Sequence, residues 1–467
     1  MRRGRCKVSF FVTLVLLGQL PCPAQTAPGA ASGVKAEGTS SQSATEGTSA
    51  DIAHKRSETI RFGIESELLE LSKTLATEKE SRFNKELLDL FGGSRSPRLR
   101  VAILGLFKQL EWADAESAAL EIVKGRDGED PTSVAAALGY LGQIRSKQAL
   151  EYAPAIIEEN NKTLLPPLVT LMGRSGGERE EAILLGWLKG DAPSQILREA
   201  SIRALGDIGS SAAAESLMKI LGDDAAQRFE RIYAAEALSK IGYGPALASL
   251  IKAANGEDPN IRAAAVEALA SFKGGEVDSA LVEALRDPFV KSRIAACKAL
   301  GKRRLESALP ILQYKATNDP EKSVKAEALR AIAEIGVSGS FSFLEGLMAD
   351  KKTDAPTRIL IFGVLARKNA SASMDRLLVL LSEESRAQDR GFFTGLAREA
   401  AGAADAADIA PVIRVLLVDK DYLIRLGGLE WAKATKSNAI KSDVEGLSTG
   451  DPSEFVRKRA GEILALW

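Results

Sequence analysis

The sequence predicts an all-α protein, a right-handed α-solenoid of about twelve stacked helical hairpins, on three observations. One basic residue recurs: Arg198, Arg231, Arg262, Arg293 and Lys325 are 33, 31, 31 and 32 residues apart. Six residues after each comes alanine (Ala204, Ala237, Ala268, Ala299, Ala331), and one further on a large aliphatic (Leu205, Leu238, Leu269, Leu300, Ile332). The segments between them carry helical patterns and no strand-like alternation. A period just above thirty with helical content marks a stack of helix pairs, in which each unit buries its apolar face only against its neighbours.

The elements follow in chain order. MRRGRCK is a positive n-region, SFFVTLVLLGQL an apolar h-region, and PCPA offers small residues at Cys22 and Ala24. That is an export signal over residues 1–24, with cleavage near Ala24 and a periplasmic or envelope location. The apolar run is short for a bilayer span. Cys22 leaves a lipid anchor as an alternative to soluble export, although Pro21 before it and Leu20 two positions back depart from the usual lipobox. Residues 25–58, rich in Ala, Gly, Ser and Thr, offer almost nothing large to bury and are expected to be a disordered tether. Residues 59–96 carry Ile64, Leu68, Leu71 and Leu75 at helical spacing and then NKELLDLFGG. They read as an N-terminal helical cap, polar on its outer side.

From Pro97 the repeat units run to the end: 97–130, 131–160, 161–192, 193–225, 226–257, 258–287, 288–319, 320–354, 355–387, 388–420, 421–451 and the half unit 452–467. Units over 131–192 and 388–451 are degenerate, interrupted by Pro166-Pro167 and by AAGAADAAD. Counting from Arg262, Ala265, Val266, Leu269 and Phe272 fall on one helix face, and the alanines at +3 and +6 permit close helix approach. Asp-Pro pairs recur at 130, 258, 287, 319 and 451. They read as joints with aspartate as N-cap and proline at the first helical position. An Asp–Arg ladder between units is the natural consequence.

Formal charge is zero, 62 basic against 62 acidic residues; without residues 1–24 it is 58 against 62. A mildly acidic chain with no basic run evident in its repeats argues against sequence-independent nucleic-acid binding. Of three cysteines only Cys297 lies outside the signal, so no disulfide framework is available.

Units such as LREASIRALGDIGSSAAAESLMKILGDD and VKAEALRAIAEIGVSGSFSFLEGLMAD resemble HEAT repeats of the short, bilin-lyase-like subtype, over 97–467 and most strongly over 193–350. The resemblance implies that the second helix of each unit lines the concave face. The outward residues there, Lys219, Lys252, Glu283, Tyr314 and Lys315, are then the candidate partner-binding residues. It is specific for fold and weak for function, because the family spans scaffolds, transport receptors, lyase subunits and a few enzymes.

Catalytic readings find little support. His54 is the only histidine and falls in the tether, so the His-Glu iron sites of HEAT-type hydroxylases, a His-based zinc site and a Ser-His triad all lack their ligands. The acidic pairs Asp223-Asp224 and Glu257-Asp258 sit at joints, where capping explains them better than a metal. Cys297 takes a core position, as an inert small residue. The ladder residues, including Arg358, Arg425 and Arg457, read as structural pairs rather than an anion site, and Phe392 and Phe393 as core filling. The expectation is a non-catalytic scaffold of the bacterial envelope with no cofactor, binding protein partners and neither nucleic acid nor a membrane interior. A lyase-type or modifying enzyme subunit is the alternative.

Overall fold

The computed structural model describes residues 49–192, 194–368, 392, 395–396, 399, 406–435 and 437–467. Among these residues there are helices and no strand. Three open the chain: α1 (Ser49–Phe62), α2 (Glu65–Glu78) and α3 (Asn84–Gly93). Then come pairs: α4 (Pro97–Gln109) with α5 (Glu116–Lys124), α6 (Pro131–Gln143) with α7 (Ala153–Glu159), α8 (Leu165–Ser175) with α9 (Glu178–Gly186), and α10 (Gln195–Ile208) with α11 (Ala214–Gly222). The next four are α12 (Arg228–Ile241) with α13 (Ala246–Ala254), α14 (Pro259–Leu269) with α15 (Gly275–Ala284), α16 (Val290–Arg303) with α17 (Leu309–Asn318), and α18 (Lys322–Ile335) with α19 (Ser338–Ala349). After α20 (Ala355–Lys368) follow α21 (Ala406–Leu417), α22 (Tyr422–Thr435) with α23 (Lys441–Gly450), and the unpaired α24 (Glu454–Leu464). The expected unit boundaries match these pairs wherever both sides are described; the boundary between 387 and 388, Phe393 and most of the degenerate stretch after α20 lie outside the described residues.

Two expectations at the start of the chain need correction. Helical structure already begins at Ser49, inside the segment assigned to the tether. The reason is local: Ile60 is buried, Arg56 pairs with Glu78 at 2.8 Å, and the Ser57 hydroxyl donates to Glu86 at 2.9 Å, so α1 is tied to α2 and α3. Nor is the outer side of the cap over 59–96 polar as expected, since Phe62 and Ile64 are exposed there. Pro166 and Pro167, expected to interrupt a unit, instead lie in the first turn of α8, where no intrahelical N–H is required.

The first helices of successive units stack into one row and the second helices into another. The rows differ. First helices touch their counterparts along their length, whereas second helices make few contacts with one another. The cause is a pair of small residues. A Cβ placed on Gly173, Gly206 or Gly301 would lie 2.7 Å from the Cα of Ala204, Ala237 or Ala331 on the next helix. At these three joints an alanine at +6 meets a glycine of the helix before and the two backbones touch; after Arg231 and Arg262 the +8 position is Ser239 and Ala270 instead.

The ladder forms, with a geometry the pattern only partly foretold. Arg293 on α16 directs Nε and one terminal nitrogen to the two carboxylate oxygens of Asp319, at 2.9 and 3.0 Å. Its other terminal nitrogen donates to the carbonyls of Asp287 and Pro288, at 2.9 and 3.0 Å. One guanidinium thus clamps the joint behind it and the aspartate of the joint ahead. Arg262 does the same with Asp287, Gly256 and Glu257, and Arg425 with Asp451, Asp419 and Lys420. Arg198 keeps the geometry but takes its carboxylate from Glu230 of the next helix, at 2.7 Å. Lys325, with no fork to offer, reaches only the carbonyl of Thr317.

Asp130 and Asp258 cap helices that start at the following proline, as expected. At Asp287, Asp319 and Asp451 the helix instead starts later, at Val290, Lys322 and Glu454. There the aspartate accepts the N–H two residues on and presents both oxygens to the arginine of the preceding unit. Asp258 also meets an arginine of the unit before, Arg228 at 2.7 Å, but through one oxygen, and keeps the other for the cap.

The Arg293 side chain is 7% exposed and Asp319 0%. Burial pushes the Asp319 carboxyl up, but the bonds from Arg293, Glu321 N–H and Lys315 outweigh it and the net pKa is lowered; Asp287 and Asp451 are lowered in the same way. A carboxylate depressed in the folded state adds stability that is complete above its unfolded value of about 4 and is lost as pH falls through the lower folded value. Replacing Arg293 by Ala removes the bidentate partner of a buried carboxylate and leaves Asp319 only Lys315 as a cation, and breaking a buried pair typically costs about 3–5 kcal/mol. Hydrogen exchange should show α16 and α18 losing protection in Arg293→Ala and, in the unaltered protein, only below about pH 4. Protection unchanged in the variant would mean that the rung carries no load.

Candidate functional site

The exposed faces of the two rows collect side chains from several units. The exposed face of the first-helix row takes residues from fixed registers: −2, +1, +2, +5 and +9 from the ladder residue. Its floor is small in places, with Ala263 and Ala264 on α14 and Ala295 on α16. Against that floor, large apolar side chains stand out at −2. Ile196 is 68% exposed, Phe229 57%, Leu423 37% and Phe455 72%. Phe229 stacks on Tyr233 (6.1 Å between centroids, 23° between planes), and the Arg203 guanidinium of the preceding helix lies 5.2 Å from the Tyr233 ring. Phe455 approaches Tyr422 at 6.5 Å.

Two grooves open along this row. One of about 610 Å³ runs over the C-terminal ends of α4, α6, α8 and α10, lined by Glu111, Gln143, Arg145, Arg174 and Asp207. Its wall is a hydrogen-bonded chain in which Arg174 donates to Gln143 and Gln143 donates to Glu111 at 2.7 Å. The other, about 460 Å³, lies between α22 and α24, with Leu423, Leu426, Gly427 and Phe455 beneath a charged rim of Glu430, Lys458, Arg459 and Glu462.

The residues proposed from sequence fall elsewhere. Lys219, Lys252, Glu283 and Tyr314 are exposed on α11, α13, α15 and α17, the loosely spaced row, one on each helix. Glu283 accepts a hydrogen bond from Arg286 at 2.6 Å and borders a groove of about 350 Å³ beside Arg262 and Asp287. Lys315 does not face outward: its Nζ lies 3.2 Å from Asp319, and the ion pair belongs to the Arg293 rung. The first four positions are exposed, whereas Lys315 is turned inward by its ion pair with the buried Asp319.

Sequence reasoning also overlooked α16. The segment VKSRIAACKALGKR holds five basic residues and no acidic one, so a basic run does stand in the repeats. The signal was local charge imbalance, invisible in the chain's total of zero.

Candidates for chemistry remain sparse. His54 is exposed on α1 beside Glu58. Asp224 pairs with Arg231 at 2.9 Å, and Asp258 caps α14. Among the described residues no three His, Cys, Asp or Glu side chains gather as a metal site would require. No helix among them is long and apolar enough to cross a membrane. Phe392 is buried, 4.4 Å beneath the Arg358 guanidinium, and so fills core. Cys297 is fully buried, and burial pushes its thiol up to about 12. It should resist a thiol reagent in the native protein at pH 8 and react once the chain is unfolded by denaturant; rapid native labelling would mean that α16 opens.

No curated protein matches the chain. Among solved structures it is similar to the complex of CpcE and CpcF of phycocyanin lyase from Nostoc, at 18% identity over 62% of this chain and 94% of that one, with a TM-score of 0.31. It is also similar to yeast importin-beta (Kap95p), at 13% identity over 89% and 65%, TM-score 0.48, and to human deoxyhypusine hydroxylase, at 18% over 61% and 96%, TM-score 0.24. The family model described as spirochaete HEAT repeat protein matches residues 60–463, and the chain belongs to that family.

Proposed function

We propose that this chain is a non-catalytic, protein-binding scaffold of the bacterial cell envelope, and that it grips its partner along the first-helix row. A stack whose one row is packed backbone to backbone and whose other row is splayed bends toward the tighter row. The first helices then line the inner side, in place of the second helices that the family resemblance suggested. The observation that carries the reading is the shared register of Ile196, Phe229, Leu423 and Phe455, large apolar side chains kept in water on one row. Exposed aromatic and aliphatic side chains ringed by charge are the usual anchors of a protein interface. The envelope location rests on the signal pattern of residues 1–24.

A photocrosslinking residue at Phe229 or Phe455 should capture a discrete partner in cells, while the same probe at Tyr314 on the other row should not. Equal capture from both rows, or capture from Tyr314 alone, would overturn the choice of face. The intact mass of the mature protein tests export: loss of the first 24 residues is expected, and an added lipid on Cys22 would replace soluble export with anchoring.

A further inference from the structure

We propose that the inner face over α12, α14 and α16 is a binding site for an extended acidic polypeptide segment carrying an apolar anchor. The inference rests on the first-helix row being the binding face and names what that face takes there.

The cations come from α16. Arg293 and Arg303 are spent inside the fold, on Asp319 and on Asp278. Lys291, Lys298 and Lys302 are exposed on one face of the helix, at −2, +5 and +9, and make no hydrogen bond or ion pair. Arg304, at the C-cap of α16, and Lys273, in the turn after α14, are further exposed cations. Among the nearby carboxylates, Glu327 is held by Arg330 at 3.0 Å and Glu334 by Lys368 at 2.7 Å, while Glu236 on α12 and Glu267 on α14 stay exposed at +5, so the face holds two acids on its α12–α14 side against the cations of α16. Neighbouring first helices are mixed in sign: α10 carries Glu199 and Asp207 against Arg198 and Arg203. Unpaired lysines held near one another repel, and an anionic ligand relieves that repulsion.

The anchor side is α12. Phe229 and Tyr233 form an aromatic ridge, and α14 between ridge and lysines presents only Asn260, Ala263 and Ala264 at −2, +1 and +2. Along the −2 register, successive helices offer Ile196, Phe229, Asn260 and Lys291: two apolar positions, one small polar position, then a cation. Adjacent helices lie about 8–10 Å apart and an extended chain advances about 3.3 Å per residue, so Phe229 and Lys291 are about six ligand residues apart. The fitting ligand has an apolar residue at one end and, about six residues on, a cluster of Asp or Glu for Lys291, Lys298 and Lys302. The alanine floor and aromatic wall favour a polypeptide over a phosphate polymer or lipid headgroups, which would use the lysines and leave Phe229 idle.

The test uses the full chain and a fluorescein-labelled peptide of about twelve residues, Leu-Phe followed about six residues later by Asp-Glu-Glu. Polarisation should report binding that weakens as salt is raised. Charge reversal at two exposed lysines, Lys298→Glu with Lys302→Glu, should weaken it at least tenfold, and Phe229→Ser should do the same. Lys252→Glu, on the other row, should leave it unchanged. Comparable binding of a peptide with Lys in place of its acids, or indifference to the lysine reversals, overturns the proposal. So does binding of duplex DNA or phosphatidylglycerol vesicles that is tighter than peptide binding and insensitive to Phe229→Ser. Failure of the two readings is distinguishable. If a Phe229 crosslinker still captures a partner while the reversals have no effect, the face stands and the acidic ligand falls.

Discussion

Each well-formed joint turns on a guanidinium that must satisfy two units at once. Arg262, Arg293 and Arg425 each grip the carbonyls of the loop behind and fork onto an aspartate of the loop ahead. Such a clamp closes only when consecutive helix pairs sit at one relative offset, so it sets the register of the stack. Its net contribution to stability is modest, since removing two charges from water costs about what their attraction returns. The penalty for half a clamp is large. Geometry is therefore enforced by what happens when it is wrong.

That offset brings the +8 position of one first helix onto the +6 position of the next. Small residues stand there: glycine against alanine at Gly206 with Ala237 and Gly301 with Ala331, where a Cβ would clash, and Ser239 and Ala270 at +8 of the two units between. Touching first helices and splayed second helices make two unlike faces from one repeat. The tight row offers the more continuous surface, and it is there that Ile196, Phe229, Leu423 and Phe455 stand exposed and α16 leaves its lysines unpaired.

Much of the architecture was legible as a repeat: the spacing of Arg198 through Lys325, the alanine six residues on, and the Asp-Pro joints. The site was legible only in part. Lys219, Lys252 and Glu283 were recognised as outward-facing, because solvent exposure on a helix follows periodicity. Lys315 was not recognised as internal, because its partner Asp319 is recruited by an arginine on another helix. The −2 apolar series and the basic run of α16 were present in the letters. Their weight appears only once it is known which row is exposed and which cations are already paired.

The sequence by itself determined the helices, the period of the stack and the residues that join one unit to the next, since these follow from local patterning and nearest-neighbour burial. Only the tertiary structure decided which row packs tight, which arginines are consumed in the joints and which lysines remain free. Those outcomes depend on distances between atoms about thirty residues apart, which no pattern along the chain encodes.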